Sequence, residues 1–297
     1  MPMKKLLLVI LLSFTAFRVC AAQKDSLLVM FWNVENFFDY IDQGTGQSDK
    51  EFTQKGDRHW SQSRFYTKCN AIAKTILKVA DDCGRLPDAI GFAEIENGFV
   101  IRQLVKSTAL RKLDYRIVHY ESPDHRGIDC ALIYRKSSLK LIKSEPKHIY
   151  GRNGRIMTTR DILLAEFDKI DILVNHHPSK VGKGSEEKRE ITMKRMNAVC
   201  DSLVGKGHPR IISIGDFNDT LWPGSRTGTL KYKGTWEKID GYFSRGRMKI
   251  EETVYMDASL KTKDRGYGGT KPFRTYNGMN YQGGISDHYP VLFRISY

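Results

Sequence analysis

Apolar residues gather in short runs at 27–32, 88–93, 115–120, 128–134, 162–167, 170–175, 210–214 and 291–296, all rich in Ile, Val, Leu and aromatics. Runs of this length and composition predict β-strands. Between them the spacing becomes helical: Phe65, Ile72, Ile76 and Val79 form a stripe within 61–79. Residues 100–110 and the charged stretch 186–203, with Ile191, Met193, Met196, Val199 and Leu203, predict two more helices. Short turns join the run at 115–120 to that at 128–134, and the run at 162–167 to that at 170–175, which predicts antiparallel hairpins. Strands and helices do not alternate strictly, so the expected class is α/β: a mixed-sheet β-sandwich flanked by helices.

Polar, glycine-rich loops at 43–55, 179–187, 223–234 and 263–284 follow strand ends, where long loops on a rigid sheet commonly carry specificity. No internal repeat or Pro/Ser-rich linker divides the chain, and one domain over residues 23–297 is the simplest organisation. Residues 1–22 stand apart. Lys4 and Lys5, then the apolar stretch 6–17, then Val19, Cys20, Ala21 and Ala22 read as a secretory signal peptide cleaved near Ala22. The stretch is shorter than the ~20 residues a bilayer requires. Phe17-Arg18-Val19 lacks the small residue that a lipidation signal places before its cysteine. The expectation is an exported protein, periplasmic or secreted.

Removing residues 1–22 takes away Lys4, Lys5 and Arg18 and no acid, which leaves 45 basic against 34 acidic side chains and a net +11. Such a field concentrates polyanions, so nucleic acid, anionic head groups and phosphorylated small molecules are the natural partners, and no stable protein partner is implied. Cys69, Cys83, Cys130 and Cys200 show no metal-ligand spacing, and export permits disulfides without requiring them. Cys130, inside an apolar run, reads as a small buried residue.

Candidate chemistry lies where strand-like runs end. Gly215-Asp216-Phe217-Asn218-Asp219 and Ser286-Asp287-His288-Tyr289-Pro290 crowd acid, amide and imidazole groups together. Carboxylates gathered in one crevice repel each other unless a cation or shared proton intervenes. Asn33 and Glu35 follow the first run, and Glu94 and Glu96 follow the second. A carboxylate there suits a hard cation such as Mg²⁺. His176, His177 and Ser179 end another run, and period-two alternation sends only one of the two imidazoles into a shared site. Zinc is less suited, because the acids sit at separate strand ends rather than in a compact tetrahedral set. Alternation puts Asp216 and Asn218 on one face, where carboxylate and amide would orient a water, and Phe217 on the other. Asp240 lies in an apolar run and needs a partner, for which His288 is the candidate. Arg126, Ser179, Arg274 and Tyr276 are candidates for holding substrate.

The ordered set FWNVEN, FAEIEN, RGIDCALIY, LVNHHPS, IGDFND, WEKIDGYF and SDHYPV resembles the endonuclease/exonuclease/phosphatase superfamily over about residues 26–297. The resemblance implies a deoxyribonuclease-like four-layer α/β/β/α fold and metal-dependent phosphoesterase activity with Mg²⁺, or alternatively Mn²⁺. It further implies that Asn33, Glu94 and Asp287 belong to the metal site and that Asp216 and Asn218 orient and deprotonate the attacking water. By the same matching His288 faces the scissile phosphate with Asp240 behind it, and His176 contacts the phosphate or assists the leaving group. Relatives often carry Gln-Glu where this chain has Ala93-Glu94, which bears on substrate rather than on metal chemistry. An exported Mg²⁺-dependent nuclease acting on DNA or RNA is the leading expectation. It is supported by the basic charge and by the aromatic and cationic loop from Arg265 through Tyr276. The alternative is a phosphoesterase for lipid head groups (sphingomyelinase-like) or for small organic or inositol phosphates. A binding module with a decayed site is disfavoured, because Glu94, Asp216, Asn218, Asp240 and His288 are all present.

Overall fold

A computed structural model describes residues 26–43, 47–182, 184–221 and 228–297. The expected signal peptide lies outside the described residues, as do parts of the loops at 43–55, 179–187 and 223–234.

The long strands are β1 (Ser26–Phe37), β2 (Ala89–Ile95), β3 (Tyr115–His119), β4 (Asp129–Arg135), β5 (Leu141–Lys147), β6 (Ile162–Phe167), β7 (Asp171–His176), β8 (Arg210–Asp216), β9 (Asp240–Gly246), β10 (Lys249–Val254) and β11 (Val291–Ser296). They form two sheets, ordered β10-β11-β1-β2-β4-β3 and β9-β8-β7-β6-β5. The pairs β1/β2 and β7/β8 are parallel, while β3/β4 and β6/β7 are the two expected antiparallel hairpins. The sheets are therefore mixed, as expected.

Both faces of the central strands are covered, which is why they read as apolar without interruption. Leu27, Val29 and Phe31 of β1 pack between the sheets with Ile172, Val174, Ile212 and Ile214, whereas Leu28, Met30 and Trp32 face two helices on the outside. Those helices are α1 (Gln62–Cys83) and α2 (Gly98–Lys106). On the other outer face, α3 (Ser185–Gly205) lays Met196, Val199, Cys200 and Leu203 over Leu173 and Ile211. The layer order is α/β/β/α. Gly91 lets the sheets pack closely, since a Cβ there would lie 2.9 Å from Ile214 Cδ1 and 3.1 Å from Val174 Cγ2 and both side chains would have to shift.

Local chemistry sets the helix ends. Ser61 accepts a hydrogen bond from the Arg64 N–H to start α1, and Gly84 closes it in the left-handed region. Asn97 accepts from the Phe99 and Val100 N–H groups to start α2. The expected helix at 100–110 instead breaks after Lys106 and resumes as a 3₁₀ turn at Ala109–Lys112, with Thr108 capping it. Strands β5 and β10 have no counterpart among the apolar runs. Both lie at sheet edges and are half-exposed and charged, so no buried face marks them in the sequence. All four described cysteines are free thiols, and Cys69, Cys130 and Cys200 are buried.

Candidate active site

Sheet order brings seven distant residues together. β1 and β2 run parallel and deliver Asn33 and Glu94 to one end of their sheet, while β7 and β8 deliver His176 and Asp216 to the corresponding end of the other. Strand β9 runs antiparallel to β8, so its first residue, Asp240, pairs with Asp216. Strand β11 runs antiparallel to β1, so the segment preceding it carries Asp287 and His288 to the same place. The Ser286 hydroxyl fastens that segment by donating to the Asn33 carbonyl at 2.6 Å, and the Trp32 indole N–H donates to the His288 carbonyl at 3.0 Å.

The Asn33 side chain is at the centre. Its amide nitrogen donates to Asp216 Oδ2 at 3.1 Å and lies 3.4 Å from Glu94 Oε1, while its oxygen accepts the Glu35 N–H at 3.0 Å. Asn33 was expected among the metal ligands. Its oxygen already accepts one backbone N–H, and its amide nitrogen braces two of the carboxylates. His176 Nε2 lies 3.9 Å from Glu94 Oε1 and 3.7 Å from Asp216 Oδ2. His288 Nδ1 and Asp240 Oδ2 are hydrogen-bonded at 2.8 Å, and His288 Nε2 lies 3.9 Å from both Asp216 and Asp287. Asn218 donates its backbone N–H to Asp216 Oδ1 at 2.9 Å and its amide to the His177 carbonyl at 2.9 Å. His177 points to the opposite face and packs edge-on against Phe217 at 5.0 Å.

Backbone strain is concentrated here. Glu35, Asn36, Glu94 and Asn218 all adopt positive φ, between 46° and 64°. The pairing of β1 with β2 slips between Asn33 and Phe37, and that of β2 with β4 slips between Ala93 and Ile95. These bulges turn the Asn36 N–H onto Glu94 Oε2 at 2.6 Å and aim the Glu94 carboxylate into the cluster.

Electrostatics separate the acids. Burial alone would raise the pKa of Glu94, but the Arg126 charge, the Asn36 N–H and His288 together hold it below the ordinary value. Burial, reinforced by the charge of Asp240, raises Asp216 to about 7. For His288 burial opposes protonation, yet the charge and hydrogen bond of Asp240, followed by the charges of Asp216 and Asp287, raise its pKa well above the usual value. His176 moves the other way, driven down by burial and then by Arg160 and Arg126. One imidazole is thus cationic and the other neutral.

Among the described residues, Asp216, Asp240 and His288 place ligand atoms within 4.8 Å of one another, and all three are buried. Protonated His288 has no lone pair to offer a metal, but the carboxylates of Asp216, Asp240, Glu94 and Asp287 are hard oxygen donors, a set that fits a divalent cation such as Mg²⁺ or Mn²⁺. The raised pKa of Asp216 is consistent with such a cation, whose charge would offset the cost of burying this carboxylate beside Asp240.

The candidate substrate contacts fare differently. Arg126 stands at the rim, donating to Asn36 Oδ1 at 2.7 Å and lying 3.9 Å from Glu94. Ser179 is exposed on a loop and accepts the Val181 N–H at 3.2 Å. Arg274 forms ion pairs with Glu35 at 3.2 Å and Asp287 at 3.0 Å, so it organises acids beside the cluster. Tyr276 is a correction. Its ring is buried against Trp60 and Phe52, and its hydroxyl donates to the Arg58 carbonyl at 2.9 Å, which leaves nothing to offer a substrate.

Sequence reasoning missed Arg160 and Lys68. Arg160 is buried, donating to Asp124 at 3.1 Å and to the His177 carbonyl at 2.8 Å. Lys68 sits under the cluster with its ammonium bonded to the Glu35 carbonyl and to Thr275 Oγ1. A signal for Lys68 was present, since it falls between Phe65 and Ile72 on the apolar stripe of α1, where a lysine has no packing reason to be.

No curated protein sequence matches the chain. The fold is shared with a truncated Caenorhabditis elegans TDP2 at TM-score 0.56 and 15% identity, covering 92% of this chain and 98% of that one. It is shared with D. rerio TDP2 in complex with a single-strand DNA product at TM-score 0.50 and 15% identity, covering 92% and 99%. A Bacteroides thetaiotaomicron mannosyl-6-phosphatase gives TM-score 0.54 and 14% identity, covering 91% of this chain and all of the other. The model of the Endonuclease/Exonuclease/phosphatase family matches residues 28–245 and 222–297, and the chain belongs to that family of phosphoesterases.

Proposed function

We propose that the protein is an exported, Mg²⁺-dependent nuclease that cleaves DNA or RNA at internal phosphodiester bonds. The observation that carries this reading is a pair of basic clefts built by loops from opposite edges of the sheets whose strand ends hold the acidic cluster. One, of about 960 Å³, is lined by Arg126, Arg152, Arg155, Arg160 and Lys188. Its loops precede or follow β4, β5, β6 and β7, toward one edge of each sheet. The acids inside it, Asp124 and Glu187, are already paired with Arg160 and Arg152. The other, of about 520 Å³, is lined by Lys263, Arg265, Tyr267, Lys271 and Arg274 and by Asp264, which pairs with Lys231 and Lys271, while Arg274 pairs with Glu35 and Asp287. It is built from the connection between β10 and β11, toward the opposite edge. A phosphate on a single small sugar occupies only the centre, whereas a polyanion with phosphates on both sides of the reacting bond fills both clefts. The DNA product in the D. rerio relative supports the same reading.

The chemistry follows from the charges. Glu94 and Asp287 would hold the cation, with Asn33 bracing Glu94 against Asp216. When bound, the cation supplies positive charge to phosphoryl oxygens and lowers the pKa of a nearby water. Asp216, its carboxylate oriented by the Asn218 N–H and close to Asn33 and His288, is placed to accept a proton from the attacking water. Cationic His288, fixed by Asp240, faces the charge that develops on the phosphoryl oxygens. Neutral His176 is left to hydrogen-bond an oxygen without adding charge.

The test is a metal-supplemented panel of duplex and single-stranded DNA, RNA, a chromogenic phosphodiester, a phosphomonoester, sphingomyelin and inositol phosphates. The protein is recovered from periplasmic and culture fractions, and its mass reports whether residues 1–22 have been removed. Cleavage of an internally labelled oligonucleotide that EDTA abolishes and Mg²⁺ or Mn²⁺ restores is the expected result. Intact DNA and RNA at low salt, with turnover of sphingomyelin or a monoester, would replace the nuclease reading with the other phosphoesterase reading, and an intact N-terminus would remove export.

A further inference from the structure

We propose that Lys68 is a positioning residue that assembles the cation site from beneath, an inference that rests on the metal-dependent reading above. Its helix, α1, lies on the outer face of the first sheet, yet its side chain reaches through the core to the functional end of β1 and is only 2% exposed. The ammonium donates to the Glu35 carbonyl and to Thr275 Oγ1, the latter at 2.8 Å, and sits 5.5 Å from the centre of the Phe37 ring. Its donors are therefore directed at named partners rather than at water.

Those partners belong to the two segments that must meet for the site to exist. Glu35 and Asn36 form the left-handed bulge that ends β1, and the Asn36 N–H is what holds Glu94. Thr275 follows Arg274, the partner of Asp287, and its hydroxyl donates onward to the Ile285 carbonyl at 2.8 Å. The Glu35 carboxylate completes the joint by accepting the Thr275 N–H at 2.7 Å and ion-pairing with Arg274. Lys68 thus ties the segment that orients Glu94 to the segment that carries Asp287 and His288. Burial lowers its pKa to about 8, against the pull of Glu35, Glu94 and Asp287, so at neutral pH and below it places a positive charge beneath those acids and lowers the cost of gathering them before any cation arrives.

Replacing the lysine by methionine leaves its buried partners uncompensated and lowers stability whether or not the lysine serves the site. A positioning role adds a forecast for binding that a packing role does not. Titration calorimetry with Mn²⁺ alone is measured on the unmodified protein and on the Lys68→Met, Thr275→Val and Ile72→Val variants, with melting temperatures recorded in parallel. Lys68→Met is expected to melt below the unmodified protein and, while folded, to bind Mn²⁺ at least tenfold more weakly, with kcat falling more than KM rises. Thr275→Val, which removes one of the two acceptors, is expected to weaken Mn²⁺ binding by about threefold and settles the matter if Lys68→Met does not fold. Ile72→Val, a packing change on the same stripe, should lower the melting temperature by about 2 °C and leave Mn²⁺ affinity unchanged. Wild-type affinity in Lys68→Met, or in Thr275→Val should the former not fold, overturns the inference alone. Absence of Mn²⁺ binding by the unmodified protein overturns the metal reading and this inference with it.

Discussion

Glu94 and Asp216 flank one Asn33 amide at 3.4 Å and 3.1 Å, but their surroundings treat them oppositely. Glu94 faces Arg126 and accepts a backbone N–H, and its pKa is held down. Asp216 shares its pocket with Asp240, and its pKa is pushed up to about 7. Two carboxylates at one site can divide the work when their environments push their pKa values apart. The permanently ionised one suits a cation, and the one that titrates near neutrality suits a proton. The difference comes from what each strand end faces, since both residues close apolar strands of similar character.

The largest effects should come from neutralising each acid in turn. Glu94→Gln is expected to abolish Mn²⁺ binding and to reduce turnover by about two orders of magnitude or more, a loss that His288→Ala should match in turnover. Asp216→Asn should lower turnover as severely while retaining measurable Mn²⁺ binding. Equal loss of binding in the Glu94 and Asp216 variants would erase the division between them.

A smaller effect tests the proton directly. Below about pH 7 the Asp216 carboxyl of the cation-free protein holds a proton, which an adjacent cation must displace. Mn²⁺ affinity should therefore fall by about tenfold for each pH unit below about 7 and level off above it. The sign follows from the raised pKa, because a carboxylate held low would impose no such dependence in that range. Calorimetry across this range checks the slope, which should flatten in Asp216→Asn.

The smallest effect concerns Tyr276, whose hydroxyl is committed to the Arg58 carbonyl. Tyr276→Phe should change turnover by less than about twofold and cost about 1 kcal/mol of stability. A tenfold change in KM would return this residue to the substrate site.

Much of this site was legible in the sequence because its residues close strands whose apolar runs are unmistakable. Glu94, His176 and Asp216 each stand at the end of a run covered on both faces, and the alternation that separates His176 from His177 follows from strand geometry alone. Lys68 was not read, although it broke the stripe of α1, because a lysine on a helix ordinarily faces water and only the depth of the packing makes it informative. Tyr276 was misread for the converse reason. An aromatic among cations resembles a stacking surface until the small hairpin of Tyr276–Asn277 with Asn280–Tyr281 turns its ring into the core.

The amino-acid order alone determined where backbone would become strand or helix and which reactive groups would sit at strand ends, since burial on a regular backbone leaves a local period. Tertiary structure decided which of those ends meet. Asn33 and Asp216 are 183 residues apart, and nothing local to either encodes their 3.1 Å contact. That contact depends on two mixed sheets packing face to face, on bulges that turn Glu94 inward, and on a lysine that joins two segments from below. The same strand order draws the loops of the two basic clefts from opposite sheet edges, a relation that no single stretch of sequence contains.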